Sequence, residues 1–458
     1  MQLLIAILLL VLQAIAGFGV LCLLRIYLKP GFFISLSVLI GVAVFSLVPF
    51  LLQLAYVPLT AFNVFASLIA VSFLLNIKSK RGAVHLFNSL KNYRFRLKLY
   101  EVPSLFLILL MIFVSVWRCY YYPPTPRDLT SGAEVIAEYA VKEKTMINSV
   151  FTVDLSTTNN QFKPPFLTCL QIIYKYAGFP FGQIWLSGVF IFFTIFLYTA
   201  LNTRLHKIIT GLLLVMFIAI PEMYGYTLMA LFDYSNAVFF CLSIYFLIEY
   251  FTNGKNNHII LSGLLMAVAT YVRSETLILA GLVFPVVLFH HWRRKNISSL
   301  LKSTTYFFIP SVIIYLLSIT IYINYYLPSL YKIDSLLNTN LADLNLFYQR
   351  LSDVTGKYLL AGNVLDHYGY FVFIFVIVLC ADAFRKNSLN RTSLNWLWAV
   401  FIIFAGIPLI GFLFPLYDLD HSTKRGLLKI FPLMLLYMAN SGFLVSISDD
   451  IKKWERSQ

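Results

Sequence analysis

The run Pro123-Pro124-Thr125-Pro126-Arg127-Asp128 puts a carboxylate in a proline-stiffened turn directly after an apolar stretch. A charged group held at the edge of lipid is costly, and more often does chemistry than packing. Asp128 therefore reads as a general base facing a cavity at a membrane boundary. The other reading is a carboxylate paired with Arg127 or capping a helix. Directly after it, Ser131-Gly132-Ala133-Glu134 has the spacing of a capping box. The spacing predicts a surface helix from Gly132 toward Asn148, with Ala133, Ile136, Ala137, Ala140, Val141 and Ile147 on one side.

A second group is cationic. Lys163-Pro164-Pro165-Phe166 precedes an apolar helix, and a lysine beside a helix N-terminus favours an anion. Arg273-Ser274-Glu275 interrupts an apolar tract running from Ile259 to Phe289, too long for one span. Those charges are either a local ion pair or an arginine that holds phosphate with Glu275 orienting it. Asp418-Leu419-Asp420-His421-Ser422-Thr423-Lys424-Arg425 leads into the last span, with Lys429 one turn deeper. Asp418, Asp420 and His421 are more often a solvated turn than a metal site, so no metal is expected. Glu222 and Asp233 bracket a short connection; acids there suit a hydroxyl-rich substrate, although Asp233 could equally cap the following span.

The elements that carry these residues follow from composition. The 458 residues are 60% hydrophobic and 12% charged, with mean hydropathy +0.80. A soluble chain carries about twice that charge fraction. Apolar runs recur near 2–24, 31–50, 55–77, 101–119, 182–203, 208–222, 233–251, 259–272, 276–292, 304–325, 369–384, 394–415 and 426–446. The expected fold is an all-α polytopic bundle of about 13 spans, with outer-face amphipathic helices in the first large loop. The first run lacks a basic leader and a small-residue cleavage site, so it reads as a retained span. No internal repeat is evident.

The net charge of +15 belongs to the loops. Lys78, Lys80, Arg81, Lys91, Arg94, Arg96 and Lys98 occur in one stretch without an acid. Arg25/Lys29, Arg204/Lys207, Lys255, Arg293/Arg294/Lys295, Arg385/Lys386/Arg391 and Lys452/Lys453/Arg456 fall on the same side. That side reads as cytoplasmic, with the N-terminus outside, the C-terminus inside and segment 83–100 on the inner leaflet. Large outer loops are expected at 120–181 and 326–368. Three regions result: 1–100 with N-terminal spans and a basic segment, 101–300 as a catalytic core, and 301–458 with C-terminal spans. No nucleic-acid-binding motif is present, so nucleic acid is not an expected partner. Cys22, Cys241 and Cys380 read as small core residues; a Cys119–Cys169 disulfide is open.

In their order and topology these pieces resemble the GT-C class of polytopic glycosyltransferases that use polyprenyl-phosphate sugars, such as aminoarabinose transferases of lipid A and protein O-mannosyltransferases. The resemblance runs through Arg127-Asp128, Lys163-Pro164-Pro165-Phe166, Pro221 with Asp233, Gly263 to Glu275, and Lys424-Arg425-Gly426-Leu427-Leu428 leading to Pro432. It covers about residues 101–295 and 416–446. The family often has an acidic pair in the first outer loop; here Arg127 precedes one Asp, with Asp154 or Glu134 as the possible second member. The resemblance implies an inverting transferase on the extracytoplasmic face of the plasma (inner) membrane, with Asp128 catalytic. Arg127, Lys163, Glu222, Asp233, Arg273, Glu275, Lys424 and Arg425 would bind substrate. The implied partners are a lipid-linked sugar donor, a glycan, lipid or protein acceptor, and membrane lipids. Competing readings are a polysaccharide polymerase or ligase of the O-antigen type, which depends on Arg and His, and a lipid flippase or transporter.

Overall fold

The computed structural model describes residues 2–92, 97–125, 129–153, 163–292, 297–326, 344–356, 363–385, 390–413 and 424–457. Among these every regular element is helical. Apolar runs without water must satisfy their backbone groups internally, and a single segment can do so only as a helix.

The chain begins with α1 (Gln2–Leu23), α2 (Pro30–Leu54) and α3 (Ala61–Asn76), followed by the basic α4 (Lys80–Lys91) and by α5 (Val102–Tyr121). Four shorter or buried elements come next: α6 (Glu134–Glu143), α7 (Val150–Val153), α8 (Phe166–Tyr176) and α9 (Ile184–Asn202), the last again long. Then come α10 (Lys207–Ile218), α11 (Pro221–Gly225), α12 (Phe232–Asn253), α13 (Asn256–Val272) and α14 (Thr276–Trp292). α15 (Ile297–Tyr315) continues as a wider π-helical stretch, Leu316–Tyr326. The remainder is α16 (Leu344–Asp353), α17 (Asn363–Tyr368), α18 (Phe371–Phe384), α19 (Arg391–Leu413), α20 (Lys424–Gly426), α21 (Ile430–Asn440) and α22 (Gly442–Ser457).

Among the described residues, seven helices are long and apolar enough to cross a membrane, or up to nine if the bent pairs α3–α4 and α21–α22 each count as one span. Four further apolar helices, α10, α13, α14 and α18, are shorter. The basic segment forms a helix over residues 80–91 that turns 81° away from α3. This is the geometry of an amphipathic helix lying across the bundle end.

α1 and α2 run antiparallel, with Gly17 against Ser37 and Gly41 against Gln13, and so do α12 and α13, with Asn236 beside Ala269 and Ser243 beside Ser262. α2 is the central strut, packed against α1, α8 and α9. Its approach to α1 is backbone-close: a side chain at Gly17 or Gly41 would collide with the opposing backbone. Such contacts hold helices together where apolar burial gives no preference for protein over lipid. α12 and α13 are joined by reciprocal bonds, Ser243 Oγ to the Ser262 carbonyl at 2.8 Å and Ser262 Oγ to the Ser243 carbonyl at 2.7 Å. Gly254, at φ +68°, ends α12 with a conformation that glycine adopts without steric cost.

Three expectations need correction, and the open question of a Cys119–Cys169 disulfide is answered. Glu134 does not close a capping box. The helix starts there with no side-chain cap, after a kink at Gly132, and the carboxylate instead pairs with Lys175. The helix also stops at Glu143, with Lys144 in the left-handed region, rather than reaching Asn148. All five cysteines are free thiols: Cys119 sits against the Thr227 carbonyl and Cys169 against Met146, so no disulfide joins them. Cys380 is exposed on the bundle surface rather than in the core.

Candidate functional site

The hairpin of α12 and α13 brings the first turn of one beside the last turn of the other. Asp233 lies in that first turn, Arg273 directly follows α13, and Glu275 directly precedes α14. The Arg273 guanidinium makes ion pairs with both carboxylates, through Nη1 to Asp233 and Nε to Glu275. Asn236, one turn below Asp233, fixes the junction: its Nδ2 donates to the Ala269 carbonyl at 2.6 Å and to Thr276 Oγ1 at 2.9 Å. Arg273 is only 4% exposed. The ion-pair reading of this motif holds in a wider form: the pairing spans three helices and includes Asp233, which does not cap α12.

Other chain segments converge on this triad. The charges of Lys163, Arg425 and Lys429 all act on Asp233. Lys163, just before α8, places its ammonium over the Phe232 ring, 4.8 Å from the centroid. Lys429, at the entry to α21, is 3% exposed and lies within the fields of Arg273, Glu275 and Asp233. No hydrogen bond or ion pair reaches its ammonium among the described residues. Arg425 donates to the Tyr226 phenol, whose proton is held tightly because burial, Asp233 and Glu222 all disfavour the phenolate. Glu222, on α11, lies 3.7 Å from His367 Nδ1 on α17.

Four cations, Lys163, Arg273, Arg425 and Lys429, gather at a largely buried place with the carboxylates of Asp233 and Glu275 and with Glu222 near Tyr226. Buried charge of one sign is unfavourable alone and attracts an anion. The arrangement can therefore hold a phosphate-like group against several donors.

Of the residues singled out from sequence, Lys163, Glu222, Asp233, Arg273, Glu275 and Arg425 meet at this end. Arg127 and Asp128 lie outside the described residues, as do Asp418, Asp420 and His421. Lys424 opens α20, and its side chain is likewise outside the description. No grouping of three metal-binding side chains occurs among the described residues. Sequence reasoning missed Tyr226, and it missed the burial of Arg350 on α16 across Gly411 of α19. An arginine in a polar stretch gives no local signal of burial. Lys429 did carry one, as a cation inside an apolar run.

A second polar hub supports the first. α6 packs on α8, and Glu134 accepts from Gln171 and Lys175. The Gln171 oxygen accepts in turn from Trp185 Nε1 at 3.0 Å. Phe166, at the start of α8, packs between Trp185, Phe239 and Tyr271, so this hub anchors the helix that presents Lys163.

No protein-family model, no curated protein and no solved structure matches this chain.

Proposed function

We propose that the chain is an integral-membrane glycosyltransferase of the GT-C kind, moving a sugar from a polyprenyl-phosphate donor to an acceptor hydroxyl. The observation that carries this reading is the convergence of Lys163, Arg273, Arg425 and Lys429 around Asp233 at one end of a helical bundle. A lipid phosphate leaves readily when pre-placed cations meet its growing charge. Arg273 is already held by two carboxylates, so the phosphate falls to Lys163, Arg425 and Lys429, with Arg273 fixing the floor. Asp128 takes the acceptor proton, and a single displacement inverts the anomeric centre. Thirteen crossings suit this reading, with the short helices tilted or sheltered by neighbours. The site then faces outward from the plasma membrane, because the basic connections gather at the other end.

The test is Asp128→Asn in purified protein. Retained folding and donor binding with transfer lost supports the assignment; an active variant rejects it. A second reading, an O-antigen-type polymerase or ligase, is favoured by His367 beside Glu222 at the same end. Loss of transfer in His367→Gln with activity kept in Asp128→Asn selects that reading.

A further inference from the structure

At the opposite end of the bundle lies a cavity of about 590 Å³ that the proposed transfer does not use. It opens among the α1–α2 turn and the near ends of α9, α12, α13, α19 and α21. Its volume is in the range of small-molecule and lipid sites, roughly 300–1,000 Å³.

The walls divide into two kinds. Phe32, Tyr245 and Trp396 form an aromatic side, with the Tyr245 ring 5.8 Å from Phe32 and 6.0 Å from Trp396. Lys29, Arg204 and Glu249 form the charged side. Arg204 acts on Glu249, whose carboxylate also accepts from Asn253 at 2.7 Å. One cation is thus matched by one acid. Lys29, in the α1–α2 turn, has no ion pair or side-chain hydrogen bond among the described residues. The cavity is aromatic on one side and carries a net positive charge on the other. The connections at this end also carry Arg25, Lys80, Lys207 and Lys255, cations of the kind that draw anionic lipid.

We propose that this cavity binds a lipid bearing one phosphate anion. Its headgroup lies between Lys29 and Arg204, and the start of its chain lies against Phe32, Tyr245 and Trp396. Two cations on separate turns suit a phosphate, which offers oxygens in several directions. The aromatic side suits an acyl or isoprenyl chain and gives nothing to a free inorganic anion.

The experiment uses delipidated full-length protein in detergent, with phosphatidylglycerol and diacylglycerol as probes and bound lipid read by native mass spectrometry. Phosphatidylglycerol is expected to bind at least tenfold more tightly than diacylglycerol, and Lys29→Gln with Arg204→Gln is expected to remove that preference. Lys453→Gln, an exposed lysine of α22 outside the cavity, is expected to leave it intact. As a readout in unmutated charge, brominated-chain phosphatidylglycerol quenches Trp396, seen as the difference between the wild type and Trp396→Phe. A short isoprenyl phosphate then separates the two sources: whichever phosphate lipid binds tighter names the occupant. Equal binding of diacylglycerol, a preference that survives the double variant or is lost as fully in Lys453→Gln, or identical quenching in Trp396→Phe overturns the proposal. None of these readouts depends on transfer activity, so failure here leaves the transferase reading to its own test.

Discussion

The two ends of this bundle both bury charge, but they do so differently. At the end away from the cation cluster, each buried acid has a structural task. Asp382 accepts from Tyr437 at 2.8 Å and from the Phe443 backbone N–H at 2.9 Å, which ties α18 to the start of α22. Glu101 pairs with Lys207 at 2.7 Å, joining the entry of α5 to α10. At the site end, Asp233 and Glu275 share one arginine, and Lys163, Arg425 and Lys429 add their fields to the same place. Burial of charge therefore does not mark a site by itself. What sets the site end apart is the gathering of several cations at one buried place, a field that attracts an anion.

The comparison can be broken most forcefully at Arg273. Arg273→Met strands two buried carboxylates and is expected to cost about 3–5 kcal/mol of stability, or to prevent accumulation altogether. Thermal unfolding in detergent reads this; a wild-type melting temperature would mean the triad is not buried as described. Next is Asp382→Ala at the structural end. It leaves a phenol and a backbone N–H without their acceptor and is expected to cost about 1–3 kcal/mol. Donor binding, measured in the same preparation, should be unchanged.

Lys429→Met carries the sharpest contrast because its sign is opposite. Removing surplus buried charge should stabilise the empty protein by about 1 kcal/mol, or leave it neutral. The same change should weaken binding of a polyprenyl phosphate at least tenfold. A lower melting temperature with unchanged binding would make Lys429 a structural cation like Lys207. The smallest effect is expected at Lys453→Ala, whose exposed pairing with Asp450 at 3.5 Å within α22 should contribute nothing measurable. A clear destabilisation there would undo the distinction between the ends.

Much of the helical order was legible in the chain. Apolar runs as long as Gln2–Leu23 and Pro30–Leu54 have one backbone solution in lipid, and the Pro164-Pro165 pair directly precedes a helix, α8, as its residues predict. The number of crossings was less legible, because α10 and α18 are short enough that apolar composition alone does not decide whether they span. The first large loop misled. Ser131 to Glu134 has the letters of a capping box, yet Lys175 and Gln171, about forty positions on, compete for the same carboxylate and win it.

Residue type and local spacing alone determined that this is a membrane helical protein, that its basic connections alternate with less basic ones, and that Arg273-Ser274-Glu275 is a break between two helices. These follow from hydrophobicity and backbone hydrogen bonding, which act over a few turns. Only the tertiary structure decided that Asp233 completes a triad with that break. It likewise decided that Lys163 and Lys429, more than two hundred and fifty positions apart, act on one carboxylate. Electrostatic interaction depends on distance through space and on burial, and neither is written in the order of the residues.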